Sequence, residues 1–262
     1  MLKNKNYKLQ AYLALVSLIF LIVLLNSCQP VQEVVSYIQV VDGDTLKANG
    51  NTVRIIGIDT PETYSGSSKP VGEFGQDAKN YLGLFISNLK ISLEFKGQDD
   101  YGRKLAYVFG TDGSNNKYLY EASVTELGYA RPLFYSDNYV SEYAQKIINA
   151  YKSAYDKKLG IFSKWENAPV ITSSTTNWTS YIGKIVWLEM NVENVYKYSG
   201  IWYITSNFAV VKIRDEEYRY IFNNYNLYTL KNKKVKFYGE LWNDEGKPTI
   251  MLRAPFEIVI EN

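Results

Sequence analysis

Apolar residues along the chain fall first at every second position, then at helical spacing, then at every second position again. Residues 36–41, 44–48 and 52–58 read as strands, and Asn49-Gly50-Asn51 as a tight hairpin turn between the last two. Thr60-Pro61 stops the third strand, because proline cannot donate to a ladder and holds its predecessor extended. Residues 64–70 form a Ser/Gly-rich loop. From residue 72 the period changes: Ala78, Tyr81, Leu82, Phe85 and Leu89 share one helical face. Two strands follow at 91–96 and 104–109, then a helix over 117–127 ended by Gly128. Asp137 caps a last helix with Val140, Tyr143, Ala144, Ile147, Ile148, Tyr151 and Tyr155 on its apolar face. Five short strands and about three helices predict an α+β domain over 36–166, a small OB-type barrel carrying helices. The order alone also admits other α+β folds.

Residues 167–177 are rich in Pro, Ser and Thr and read as a linker. Beyond it, 178–262 is strand-like at 184–195, 201–205, 208–213, 235–242 and 249–260, with an irregular stretch at 222–230. This predicts a mainly β, OB-like accessory domain. Its Lys231, Lys233, Lys234 and Lys236, with Trp202, Tyr203, Tyr218, Tyr220, Phe222 and Tyr225, fit a surface for single strands. The blander reading is a solvated sheet edge over an aromatic core.

The N-terminal pattern is different again. Lys3, Lys5 and Lys8 precede 15 apolar or small residues at 11–25, short for a membrane span, and Leu25-Asn26-Ser27-Cys28 follows. We read 1–27 as a lipoprotein signal peptide, Cys28 as the lipid attachment site and 28–35 as a tether. The remainder would then lie outside the cytoplasmic membrane, lipid-anchored at the cell envelope or surface. An uncleaved anchor helix would place it on the same side.

Composition narrows the chemistry. The 262 residues include no histidine and one cysteine, which excludes Ser-His-Asp catalysis, His-ligated zinc and any disulfide within the chain. The formal charge is +2; without the three signal-peptide lysines, 26 basic residues face 27 acidic ones. A polyanion would therefore be held by local cations and a metal, not by net charge.

One stretch concentrates candidate chemistry. Asp42-Gly43-Asp44-Thr45 and Arg54-Ile55-Ile56-Gly57-Ile58-Asp59-Thr60-Pro61-Glu62 bring four carboxylates and an arginine to strand ends. Asp42 and Asp44, two apart, would project to one side of an extended chain. A hard cation such as Ca²⁺ takes six to eight oxygens at about 2.3–2.6 Å, which two aspartates, the Thr60 carbonyl and waters can supply. Asp-Gly-Asp by itself is also a common turn, and Arg54 by itself could be a buried structural pair. Jointly with Arg103, the set supplies what phosphodiester hydrolysis requires: Glu62 as proton acceptor, and two guanidinium groups and a metal against the growing phosphate charge.

The segments DGDT, RIIGIDTPE and DYGRKLAYV, in this order and spacing, resemble the staphylococcal nuclease family over about half the chain. The resemblance implies an OB barrel with three helices. It implies Ca²⁺ held by Asp44, Asp59 and Thr60, with Asp42 acting through water. Arg54, Glu62 and Arg103 match the catalytic trio, and Tyr101 matches a tyrosine on the nucleotide phosphate. Phe134 and Tyr135 align loosely with base-stacking tyrosines; a place in the core is the other option for them. The family hydrolyses single-stranded DNA and RNA, leaving 3′-phosphate ends, so DNA and RNA are the expected substrates. Asp100 stands where the prototype has lysine, which should weaken phosphate grip nearby. The alternative to an enzyme is a non-catalytic nucleic-acid-binding or adhesive lipoprotein.

Overall fold

The computed structural model describes residues 15, 32–64, 70–223 and 225–261. The expected signal segment apart from Leu15, Cys28 and half of the expected tether lie outside the described residues, as does part of the 64–70 loop. Among the described residues no helix is long and apolar enough to cross a membrane.

The first half is a curled sheet. Strands β1 (Ile38–Asp42), β2 (Thr45–Ala48) and β3 (Asn51–Ile55) form an antiparallel meander. β3 then pairs in parallel with β6 (Lys104–Thr111), which pairs antiparallel with β5 (Lys90–Gln98). The strand expected over 52–58 is broken at Ile56. Gly57 adopts φ 86°, open only to glycine at low cost, and turns the chain into β4 (Gly57–Asp59). β4 leaves the main sheet and pairs with β8 (Arg131–Leu133), setting Asp59 opposite Arg131.

Helix α1 (Gly75–Asn88) buries Ala78, Leu82 and Phe85, as its spacing predicts. A Cβ at Gly75 would stand 2.7 Å from the carbonyl oxygens of Pro61 and Glu62, so the helix start seats directly on the Thr60–Glu62 segment. The helix expected over 117–127 begins later. Residues Lys117–Leu119 instead form β7 on β6, and α2 spans Tyr120–Glu126. Here the edge of β6 offers ladder hydrogen bonds that outweigh helix propensity. Helix α3 (Ser141–Lys157) buries Tyr143, Ala144, Ile147, Ala150, Tyr151 and Ala154 and ends on Lys158 in the left-handed region.

The second half is mainly β, with its strands in two sheets. One joins β9 (Val170–Ile171), β10 (Ile185–Asn191), β14 (Lys234–Glu240) and β17 (Ile258–Ile260). The other has the order β11 (Asn194–Tyr198), β12 (Ile201–Thr205), β13 (Val210–Arg214), β16 (Lys247–Met251) and β15 (Trp242–Asp244). The predicted strand over 184–195 is split between the two sheets at Val192–Glu193.

Residues 34–262 form one compact unit. Besides a core for each half, a third cluster joins Tyr151, Ala154 and Phe162 to Ile185, Trp187, Tyr238 and Ala254. Trp165 packs on Trp187 at 4.5 Å and on Tyr238 at 4.7 Å between ring centroids. Each such aromatic pair contributes about 0.5–1.5 kcal/mol beyond burial. The segment expected as a linker is itself packed, with Ala168 in this third cluster and Ile171 in the core of the second half.

Candidate active site

The site is assembled by the β1–β2 turn, the β3–β4 kink and the hairpin between β5 and β6. Asp42 ends β1, and Gly43–Asp44 make a tight turn into β2, with Asp42 paired to Thr45 after a bulge. Asp42 and Asp44 therefore do not project side by side from an extended strand. Asp42 Oδ1 accepts the Gly43 N–H at 2.8 Å, and its Oδ2 accepts from Thr63 Oγ1 at 3.3 Å. Asp44 Oδ2 accepts the Thr60 N–H at 3.1 Å. A Cβ on Gly43 would meet the Ala78 Cβ at 2.6 Å and Thr60 Oγ1 at 2.9 Å, so only glycine lets the turn close on Thr60.

Arg54 joins the carboxylates. Thr45 and Arg54 are register partners, which brings the guanidinium beside Asp44. Its Nη1 lies 2.5 Å from Asp44 Oδ2 and its Nη2 3.6 Å from Asp59 Oδ1. It also donates to the carbonyls of Asp44, Ile55 and Ile58 at 3.1–3.2 Å. Burial alone would depress the Arg54 pKa; the charges of Asp44 and Asp59 outweigh it and raise it above its usual value. Burial, with the neighbouring Asp44, raises the Asp42 carboxyl. The structural pairing weighed for Arg54 is thus present, and it is with both aspartates.

The residues fit an oxygen-seeking cation in type. Asp44 and Asp59 are both buried and both face Arg54, and the buried Thr60 Oγ1 makes no hydrogen bond among the described residues. Among the described residues no group of three or more Asp, Glu, His or Cys side chains could hold a metal. A cation here would have to draw on the two carboxylates, a main-chain oxygen such as that of Thr60 and water, a donor set that suits Ca²⁺ or Mg²⁺ and not zinc.

Arg103 enters from the hairpin. Asp99 accepts from Arg103 Nε at 2.7 Å and from the main-chain N–H groups of Tyr101 and Arg103. Burial is the largest single influence and would raise the Asp99 pKa, but these donors and the Arg103 charge together outweigh it and lower it. Arg54 and Arg103 line one cavity of about 310 Å³, together with Tyr101, Leu105 and Tyr135. Tyr101 is 86% exposed and Tyr135 46%. Glu62 is half-buried, and its main chain bridges to Val71 and accepts the Gly72 N–H.

Phe134 corrects an expectation. It is 1% exposed and packs edge-on against Tyr139 and Tyr220, so it offers no face for a base. Phe134 and Tyr135 lie just past the end of β8, where Phe134 turns into the core and Tyr135 to the surface.

Most aromatics of the second half are also core: Phe222 is buried, while Trp202, Tyr218 and Tyr225 pack against the second core. Lys234 and Lys236 pair with Glu189 and Glu261. The basic and aromatic residues there thus fit the bland reading better than a strand-binding surface.

Sequence reasoning missed the contribution of the second half to the site's rear. Arg253 Nη2 lies 3.0 Å from Asp59 Oδ2. Arg131, behind Asp59, is paired with Glu240. Arg214 stacks over Tyr135 at 4.3 Å and donates to the Phe134 carbonyl. A signal existed, since Arg253 and Glu240 interrupt apolar strand sequence (MLRAPF, FYGELW) where an unpaired charge would be costly.

Comparison with known proteins agrees with this geometry. The family described as Staphylococcal nuclease homologue matches residues 52–164. A thermonuclease of Staphylococcus hyicus is 36% identical over 132 residues, covering 48% of this chain and 73% of that protein. A thermonuclease of Staphylococcus intermedius is 34% identical over 132 residues, 48% of this chain and 74% of its own. The SPbeta prophage-derived endonuclease YokF of Bacillus subtilis is 37% identical over 131 residues, 47% of this chain and 42% of its own.

Proposed function

We propose, from the premise that the chain belongs to the staphylococcal nuclease family, that it is a Ca²⁺-dependent phosphodiesterase. It cuts single-stranded DNA and RNA to products with 3′-phosphate ends. The observation that carries the reading is the placement of Arg54, tied to both Asp44 and Asp59, in one cavity with Arg103. Nuclease activity in the named relatives supports it.

In this reading Asp44, Asp59 and the Thr60 carbonyl hold Ca²⁺, which would offset charge on the phosphate and lower the pKa of a bound water. Asp42 acts on that centre through water and holds Thr63 beside Glu62. Arg54 and Arg103 grip the phosphate oxygens and oppose the charge that grows on them. Glu62 accepts the proton of the attacking water. Tyr101 lies against the substrate phosphate, and the exposed face of Tyr135 is available to a base. Asp100 lines the same cavity and reduces its pull on anions.

The chain would be exported by its signal segment and tethered to the membrane through lipidated Cys28. The test is hydrolysis of single-stranded DNA by the full chain with Ca²⁺, with and without chelator, followed by end-group analysis. Binding without cleavage would favour a non-catalytic lipoprotein, and 5′-phosphate ends would overturn the reaction proposed.

A further inference from the structure

We infer that Arg253, from the C-terminal β half, is a positioning residue of the catalytic centre. It holds one oxygen of Asp59 so that the other faces Arg54 and the cation site. The inference rests on the metal role proposed for Asp59. The carboxylate is held at both ends: Oδ2 accepts from Arg253 Nη2 at 3.0 Å, and Oδ1 lies 3.6 Å from Arg54 Nη2. With one end fixed, rotation of the carboxyl plane is suppressed before any cation arrives. Outer partners of metal ligands act this way in general, by orienting the ligand.

Arg253 is itself firmly seated. Glu257 Oε2 accepts the main-chain N–H groups of Arg253 at 2.6 Å and Ala254 at 3.0 Å. The other oxygen of Glu257 accepts from Tyr151 Oη of α3 at 2.5 Å. The arginine is therefore anchored to the nuclease half through its backbone as well as its tip. Beyond it, Arg253 Nη1 lies 3.6 Å from Glu217, which accepts the Phe134 N–H at 3.1 Å and lies 3.6 Å from Arg214. Charges thus alternate from Asp59 through Arg253 and Glu217 to Arg214, which covers Tyr135.

Two effects of Arg253 on the cation oppose each other. Its charge draws electron density from Asp59, and its grip prevents Asp59 from rotating or folding fully onto Arg54. Arg54 already stands within ion-pair reach on the other side. Without Arg253 the hold on Oδ2 that opposes the pull of Arg54 would be lost, and the buried carboxylate would turn toward Arg54. Orientation therefore outweighs charge withdrawal, and removing Arg253 should weaken cation binding.

The test compares the full wild-type chain with R253Q and R253K, adding Ca²⁺ alone. It reads the rise of the thermal midpoint with Ca²⁺ concentration, and separately the Ca²⁺ needed for half-maximal cleavage of single-stranded DNA. R253Q should need about tenfold more Ca²⁺ or more in both measurements. R253K keeps the charge but not the reach, and should recover part of the loss, to a shift of about threefold. If R253Q does not fold, R253K decides by the same readout. A folded variant with an unshifted Ca²⁺ curve, however lowered its thermal midpoint, reduces Arg253 to a structural ion and overturns the inference. A wild-type chain indifferent to Ca²⁺ in both measurements would overturn the metal reading and this inference with it.

Discussion

Arg131 Nη2 and Glu240 Oε2 meet at 2.5 Å although 109 residues separate them in the chain. Both side chains are buried, and the pair ties β8 of the nuclease half to β14 of the C-terminal half directly behind Asp59. A buried pair is a weak source of net stability, but breaking one leaves an uncompensated charge. Glu240→Ala should therefore cost about 3–5 kcal/mol in denaturant unfolding. Arg131→Met with Glu240→Leu together should cost far less than the two changes summed. Additive losses would show that the pair is not coupled.

The two halves share a core, so they should not separate. Removing 178–262 would strip Tyr238 and Trp187 from Tyr151 and Phe162, and Tyr220 from Tyr139, on which it stacks at 4.0 Å. It would also take Arg253 from Asp59 and Glu240 from Arg131. The truncated chain should lose cooperative unfolding by circular dichroism and bind a hydrophobic dye. A stable, fully active fragment would refute the shared core.

The two site arginines should differ in what their loss does. Arg54, its side chain 13% exposed, is bonded to two aspartates and three carbonyls; Arg103 is a third exposed and paired with Asp99. Arg103→Gln should lower kcat by about 10²–10³-fold, with a stability change within about 1 kcal/mol. Arg54→Gln should lower activity at least as much and also destabilise by about 3 kcal/mol, because Asp44 and Asp59 lose a shared counter-charge. Paired kinetics and denaturant melts read both.

Phe134 and Tyr135 should split the same way. Phe134→Ala empties a core position and should cost about 3–5 kcal/mol. Tyr135→Ala should raise KM for single-stranded DNA while removing only about 0.5–1 kcal/mol, the scale of an exposed cation–π contact with Arg214.

Glu121 provides a pH dependence. It is fully buried, with Oε1 accepting the Val108 N–H at 3.0 Å and Oε2 without a hydrogen bond among the described residues. Burial pushes its pKa well above the ordinary 4.5. A raised carboxyl pKa means that the folded state holds the proton more tightly than the unfolded one. Its contribution is thus greatest below the unfolded pKa and is lost as pH rises toward the folded value. Glu121→Gln should flatten the fall of thermal midpoint above pH 4.5, and raise the midpoint at pH 8 relative to wild type. An unchanged slope would mean that another group carries the dependence.

The alternating strands before the first helix and the i, i+4 spacing of α1 and α3 were legible because local periodicity records which face is buried. The chemical identity of Asp44, Arg54, Asp59 and Arg103 was legible too, because their spacing resembles a known family. Their neighbours were not. No sequence rule places Gly57 at a positive φ that turns Asp59 toward Arg131, or pairs Arg253 with a carboxylate 194 residues away. Equally, nothing local separates Phe134 from Tyr135; packing of Phe134 against Tyr139 and the distant Tyr220 decides which ring is buried. The sequence by itself determined which groups could do chemistry and which segments could be strands or helices. Only the tertiary structure decided which buried charges meet, because a long-range ion pair depends on where two chain segments are packed, and hydrophobic burial distributed over three cores sets that packing.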